Sequence, residues 1–197
     1  MKNDSHEHGS KGTATAERPT SEKRAGSPSG ANPEEMMKKA QAAAAPGQEH
    51  KWLQHFVGSW KCEVKCWMDP DGPANESKGT AKGSSIMGGR FLQEDFQGEM
   101  MGQPFQGRTV MGYSKQKAAF QSVWIDEMNT AMFVSEGKGD EKTITLEGKS
   151  SCPATGRTDI PMRVVLRVLS PTKHTLEMFD GSKGGAKTME ISYSRQD

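Results

Sequence analysis

The sequence lacks any long apolar run. No segment approaches the roughly 20 consecutive apolar residues that a membrane helix requires, and the N-terminal segment has no apolar core of the kind that a secretory signal contains. Hydrophobic residues make up only 32% of the chain, and the net charge is +1. We therefore expect a cytoplasmic protein without a membrane partner, and without a nucleic-acid partner because no strong positive field is present.

Cysteine is scarce and odd in number, with three residues in the chain. If Cys62 and Cys66 lie on one strand, about 13 Å separates their Cα atoms, and a disulfide needs less than about 7 Å. Together with Cys152 they do not have the spacing of a zinc site. We expect reduced thiols, no bound metal and no cofactor.

The composition changes along the chain. Residues 1–32 are rich in Ser, Gly, Lys, Glu and Thr, which predicts a disordered tail because little apolar surface can be buried there. Residues 33–47 predict a short helix and linker: Asn32 suits an N-cap, Pro33 the first turn, and Pro46-Gly47 ends the helix. Residues 48–197 predict one β domain, entered through one or two helical turns around Trp52, Leu53 and Phe56.

Strict alternation of apolar and polar residues begins after Gly58 and recurs in segments separated by turn residues. No helical period interrupts these segments, so an all-β fold is predicted. Closing about 8–10 consecutive antiparallel strands into an up-and-down barrel removes the exposed edges, and a β-sandwich is the alternative. The candidate strands are residues 60–68, 77–86, 90–100, 105–114, 118–126, 130–138, 142–150, 161–169, 174–180 and 187–195.

The first and last strands predict how the barrel closes. In the stretch "GSWKCEVKCW", Trp60 is the first residue of the inward face, and Gly58 permits a sharp entry. In "KTMEISYSRQD", Arg195 alternates in step with Met189, Ile191 and Tyr193, so it is predicted to lie on the inward face. If the two strands pair antiparallel, the Arg195 guanidinium lies over the Trp60 indole in a cation–π contact of about 0.5–2 kcal/mol.

These features carry a family resemblance. A helical turn, Gly58-x-Trp60 and Arg195 resemble the signature of the calycins, which include lipocalins and fatty-acid-binding proteins. The stretches "PGQEHKWLQHFVGSW", "MGGRFLQEDFQGEMMGQPFQG", "MGYS", "VWIDEM" and "ISYSR" are similar to a bacterial family known only as a domain of unknown function. The resemblance covers residues 34–197 and implies a calycin-like barrel. That family offers no catalytic residues to carry over, so none are assigned here.

Strand parity also predicts which side chains would line an interior pocket. The candidate ligand-binding residues are Cys62, Val64, Cys66, Met111, Tyr113, Trp124, His174, Leu176 and Met178. A soft wall rich in Met and Cys suits an undemanding apolar ligand. The same side chains could instead pack against one another and fill the barrel. Trp124 is ambiguous, because either Trp124 or Val123 and Ile125 face inward.

Three functions remain open from the sequence. The first is binding of a small hydrophobic molecule, oriented by His174 or Tyr113, without catalysis. The second is a haem-binding barrel that acts on small oxidants, with His174 as the axial ligand. The third is a non-catalytic interaction module with a filled barrel. The sequence does not indicate an oligomeric state.

Overall fold

The structure is a computed structural model that describes residues 32–196. Two helices precede the strands, α1 (Pro33–Ala44) and α2 (Gln48–Trp52), and a 3₁₀ turn at Leu53–Phe56 follows α2 directly. The predicted disordered tail, apart from Asn32, lies outside the described residues.

α1 begins at a side-chain cap. The Asn32 Oδ1 accepts a hydrogen bond from the backbone N–H of Glu34 at 3.0 Å, which satisfies one of the free donors of the first turn. Glu34 also pairs with Lys38 one turn later at 3.0 Å. No residue of α1 is buried, so local capping and helix propensity account for the helix.

Ten strands follow, and all of them overlap the predicted segments. All ten starts and four of the ten ends shift, by one to four residues, most of all at the starts of the sixth and eighth segments. The strands are β1 (Gly58–Cys66), β2 (Asn75–Ile86), β3 (Phe91–Met100), β4 (Gln103–Ser114), β5 (Ala119–Asp126), β6 (Phe133–Gly139), β7 (Thr143–Cys152), β8 (Arg157–Ser170), β9 (Lys173–Asp180) and β10 (Ala186–Arg195).

The strands form a closed antiparallel barrel in which each strand pairs with its neighbour in sequence. β1 pairs with β10 in a register that sets Trp60 opposite Arg195, so no strand edge is left open. The prediction of a closed up-and-down barrel is confirmed, and the sandwich alternative is wrong.

The up-and-down order gives the barrel two different ends. The open end carries the β1–β2, β3–β4, β5–β6, β7–β8 and β9–β10 connections. At the closed end, Leu53 and Phe56 of the 3₁₀ turn are buried in one cluster with Phe120 and Ile144, which lie at the starts of β5 and β7. The 3₁₀ turn at Leu53–Phe56, hereafter the plug, therefore fills the closed end of the barrel.

Tight turns join several strands where the sequence predicts them. Between β3 and β4, Met101 and Gly102 have φ angles of 55° and 78°, which is the conformation of a two-residue hairpin loop. Between β2 and β3, Met87, Gly88 and Gly89 also have positive φ. "MGGR" is thus a turn between strands.

Candidate functional site

The seam between β1 and β10 is fixed by Arg195 at the closed end. Its guanidinium carbon lies 4.2 Å from the centre of the Trp60 ring. Its two terminal nitrogens donate hydrogen bonds to the carbonyl oxygens of Val57 at 2.9 Å and His55 at 3.0 Å. The contact expected from the sequence is present, and the guanidinium also ties the last strand to the helical turn, which parity could not indicate.

Gly58 makes room for this guanidinium. Its φ angle is 130°, a conformation that residues with a Cβ rarely adopt. A Cβ at this position would overlap Nη1 of Arg195. Trp60 is fully buried and donates from Nε1 to the Phe56 carbonyl at 3.0 Å, so its polar atom is satisfied inside the barrel.

His174 lies next to Trp60 at the closed end of the barrel. Its ring stacks on Tyr193 at 4.1 Å and meets the edge of Trp60 at 4.3 Å, and it is 1% exposed. Burial, followed by the positive charges of His55 and Arg195, lowers the pKa of His174 to about 3. The imidazole is therefore neutral across the physiological range.

Above the closed end the barrel contains a cavity of about 490 Å³. It reaches from Phe56 of the 3₁₀ turn to the β5–β6 connection, where Met128 and Met132 line it, and to the β7–β8 hairpin at Pro153. Ligand sites in proteins typically measure about 300–1,000 Å³. The side chains of the barrel thus leave its interior partly open. The interaction-module hypothesis required a filled interior.

Five of the nine predicted ligand-binding residues line this cavity: Val64, Met111, Trp124, Leu176 and Met178. The parity of their strands places them on the inner face, and their height along the barrel places them above the plug. For Trp124 the ambiguity is resolved, because Ile125 is 45% exposed on the outer face.

The other four predicted residues, Cys62, Cys66, Tyr113 and His174, are not among the residues that line the cavity. Tyr113 packs edge-on against Phe120 at 5.0 Å near the closed end. Parity gives the face of a strand but not the depth along it, and Tyr113 and His174 lie at the closed end, which the 3₁₀ turn fills. Cys62 and Cys66 instead pack in the side-chain cluster that contains Trp60 and Phe96. His174 and Tyr113 therefore do not orient a molecule in the cavity, and the haem hypothesis loses the axial ligand on which it depended.

Trp124 is held in the wall by two contacts. Its Nε1 donates to Oδ2 of Asp126 at 2.7 Å, and its ring lies nearly parallel to Phe105, with 6.4 Å between centroids. Gly107 on the neighbouring strand leaves the space that this indole occupies, because a Cβ there would overlap it. The indole is therefore a fixed part of the cavity wall.

The sequence reasoning missed Glu94 and Tyr193, which both line the cavity. The Tyr193 hydroxyl donates to Oε1 of Glu94 at 3.3 Å. Burial raises the pKa of Glu94 to about 7, against the lowering effect of this hydrogen bond. The signal was available, because Glu94 lies between Leu92 and Phe96 at inward parity.

The three thiols are free. Burial raises the pKa of Cys62 to about 12 and also raises that of Cys66, so both are protonated at neutral pH. Cys152 lies in the cavity wall near the open end, where a side-chain hydrogen bond with Thr155 lowers its pKa.

Residues 32–196 contain no group of three or more His, Cys, Asp or Glu side chains that could hold a metal ion. Among the same residues, no helix has the length and apolar character needed to cross a bilayer.

A comparison with protein families finds a match. The family model described as "Protein of unknown function (DUF1579)" matches residues 45–195, which include α2, the 3₁₀ turn and all ten strands. No curated protein matches the chain.

Several solved structures are similar to the chain. The barrel is similar to the S-type phycobiliprotein lyase CPES from Guillardia theta at 10% identity and a TM-score of 0.50, covering 80% of this chain and 97% of that one. A de novo designed fluorescence-activating β-barrel matches at 14% identity and a TM-score of 0.42, covering 73% and 96%. The redesigned barrel mFAP0 bound to DFHBI matches at 15% and 0.40, covering 72% and 100%. At such identities the likeness to the lyase shows the fold alone.

Proposed function

Because this chain belongs to the family of proteins of unknown function DUF1579, we propose its function from its own geometry: it binds one small, mostly apolar molecule inside the barrel. The observation that carries this proposal is the cavity of about 490 Å³ within a closed β-barrel. A ligand inside would be surrounded by the inner face of the barrel wall.

The wall chemistry supports an apolar ligand. Leucine, valine, isoleucine, phenylalanine and methionine dominate the lining, and six methionines contribute to it: Met100, Met111, Met128, Met132, Met178 and Met189. Each Å² of apolar surface removed from water contributes about 25 cal/mol, which must offset the loss of ligand freedom on binding. Flexible thioether side chains let such a wall adapt to ligands of different shape.

The open end offers a route into the cavity. Met128 and Met132, on the β5–β6 connection, are 53% and 65% exposed and also line the cavity. The closed end is blocked by the plug and by the Trp60–Arg195 contact. We propose that the ligand enters and leaves past the β5–β6 connection.

Pyrene tests this proposal, because it is an uncharged hydrocarbon whose emission bands report the polarity around it. We expect the wild-type protein to bind pyrene in an apolar environment. A double variant, Val64→Trp and Leu176→Trp, should bind it about tenfold or more weakly, because the two indoles occupy the space of the ligand.

A matched control uses the same two residue types on the outer face. Val134 and Leu169 are 56% and 61% exposed, so Val134→Trp with Leu169→Trp should leave pyrene binding unchanged. Circular dichroism would verify that both double variants fold. If pyrene fails to bind the wild type, or binds both double variants equally, the proposal of an interior site is wrong.

A further inference from the structure

Glu94 places a carboxyl group in an otherwise apolar cavity wall. It is half-buried, and its remaining surface faces the cavity. Within residues 32–196 its side chain has one hydrogen-bond partner, the Tyr193 hydroxyl on Oε1. The second carboxyl oxygen, Oε2, is therefore available to a molecule in the cavity.

The charges that line the cavity are of one sign. Its lining includes three acidic residues, Glu94, Glu99 and Asp126, and no Lys, Arg or His among the described residues. Arg195 is occupied at the closed end with Trp60 and three backbone carbonyls. Asp95, next to Glu94 in sequence, pairs with Arg108. No cation of the described chain therefore neutralises Glu94.

A buried carboxylate without a cation is costly, and a ligand can supply the missing charge. Attraction between opposite charges grows as the surroundings become less polar, and one ionic partner left alone in an apolar site is destabilising. An ammonium group beside Glu94 would gain this attraction. A ligand carboxylate would meet repulsion, and a hydroxyl would gain only a neutral hydrogen bond.

We propose that the cavity selects an amphiphilic amine, whose apolar body fills the barrel and whose ammonium group pairs with the Glu94 carboxylate beside Tyr193. This inference rests on the proposed interior binding site and specifies its ligand class. The aromatic wall adds a second attraction, because cations are favoured over ring faces such as those of Phe96 and Trp124, which line the cavity.

Three compounds with the same ten-carbon chain separate the possibilities: decylamine, decanol and decanoate. Each would be titrated against pyrene bound to the wild-type protein at pH 8. We expect decylamine to displace pyrene at a concentration about tenfold or more below that of decanol, since one ionic hydrogen bond distinguishes the two compounds. Decanoate should be the weakest of the three.

Glu94→Gln tests the residue itself. The amide keeps an acceptor for the Tyr193 hydroxyl and removes the charge, so decylamine and decanol should become equal competitors. Glu63→Gln is the matched control, because Glu63 is exposed on β1 and the same substitution there should leave the preference for decylamine intact.

The preference should also depend on pH. The titratable groups that face Glu94 are Tyr193 and Cys62, and burial raises the pKa of both, that of Cys62 to about 12. The pKa of neighbouring Asp95 is lowered by Arg108. Cys152, whose pKa is also lowered, lies in the cavity wall near the open end. The change in charge beside Tyr193 between pH 6 and pH 8 therefore belongs to Glu94, and the preference for decylamine should strengthen as pH rises and Glu94 ionises.

The outcomes separate this inference from the proposed function. If pyrene binds but the three compounds compete equally, or decanoate competes best, the amine inference fails while the interior site stands. Retention of the amine preference in Glu94→Gln also overturns it. If pyrene itself does not bind the wild type, the proposed function fails first.

Discussion

Replacing Arg195 by alanine is expected to lower the free energy of unfolding by about 3 kcal/mol. The guanidinium donates to the carbonyls of Val57 and His55 and lies over Trp60. A hydrogen bond from a charged group contributes about 1.5–3 kcal/mol, and the cation–π contact adds about 0.5–2 kcal/mol. Water can partly replace these contacts at this half-buried position, so we expect a total loss near the lower end of these ranges. Urea unfolding followed by circular dichroism would measure the change.

Arg163→Ala is the matched control for that variant. The Arg163 guanidinium also lies over an aromatic ring, 3.9 Å from the centre of Phe179, but no hydrogen bond to a backbone carbonyl accompanies it in the described residues. Its loss should cost about 1 kcal/mol or less. Arg195→Lys should recover only part of the stability, because one ammonium group cannot reproduce the planar fork. Equal losses in the two alanine variants would contradict the role of Arg195 in closing the barrel.

His174 is expected to make the fold sensitive to acid. Its pKa is lowered from 6.5 to about 3 in the folded protein, so below pH 6.5 the unfolded chain binds a proton that the folded chain does not. The stability associated with the neutral imidazole is fully present above pH 6.5 and is lost as pH falls toward 3. At pH 4 this loss amounts to about 3 kcal/mol, from about 1.4 kcal/mol for each unit of pKa difference.

His174→Phe should remove this acid sensitivity while keeping an aromatic ring against Tyr193 and Trp60. The free energy of unfolding would be measured at pH 7 and pH 4 in both proteins. The wild type should lose about 3 kcal/mol more than the variant between the two pH values, whatever repacking costs the larger ring imposes at pH 7. An identical pH dependence in both proteins would show that His174 does not carry the effect.

The fold could be predicted because alternation is a strong local signal. Each strand of a barrel has one wet and one dry face, so its polar and apolar residues alternate, and Gly and Asp mark the turns. The predicted starts and ends of the strands were less accurate where turn-forming residues lie inside a strand. β8 begins at Arg157, four residues before the predicted start at residue 161, and it contains Pro161, a residue type that is common in turns.

The candidate site was predicted only in part, because alternation gives the side of the sheet and not the position along the barrel axis. His174 has inward parity, as Leu176 and Met178 do, but it lies one layer lower, among the rings at the closed end. The depth of that layer depends on how far the 3₁₀ turn enters the barrel, a tertiary property. Glu94 was accessible to the same parity argument, since it is a charged residue on an apolar face.

Methionine methyl resonances test the central claim, that a ligand binds inside the barrel, most directly. With methyl-labelled methionine, pyrene should shift the signals of Met111 and Met178, which line the cavity. The signal of Met87, which is 71% exposed in the β2–β3 turn, should stay in place. Shifts at Met87 without shifts at Met111 and Met178 would place the probe on the outer surface and contradict an interior site.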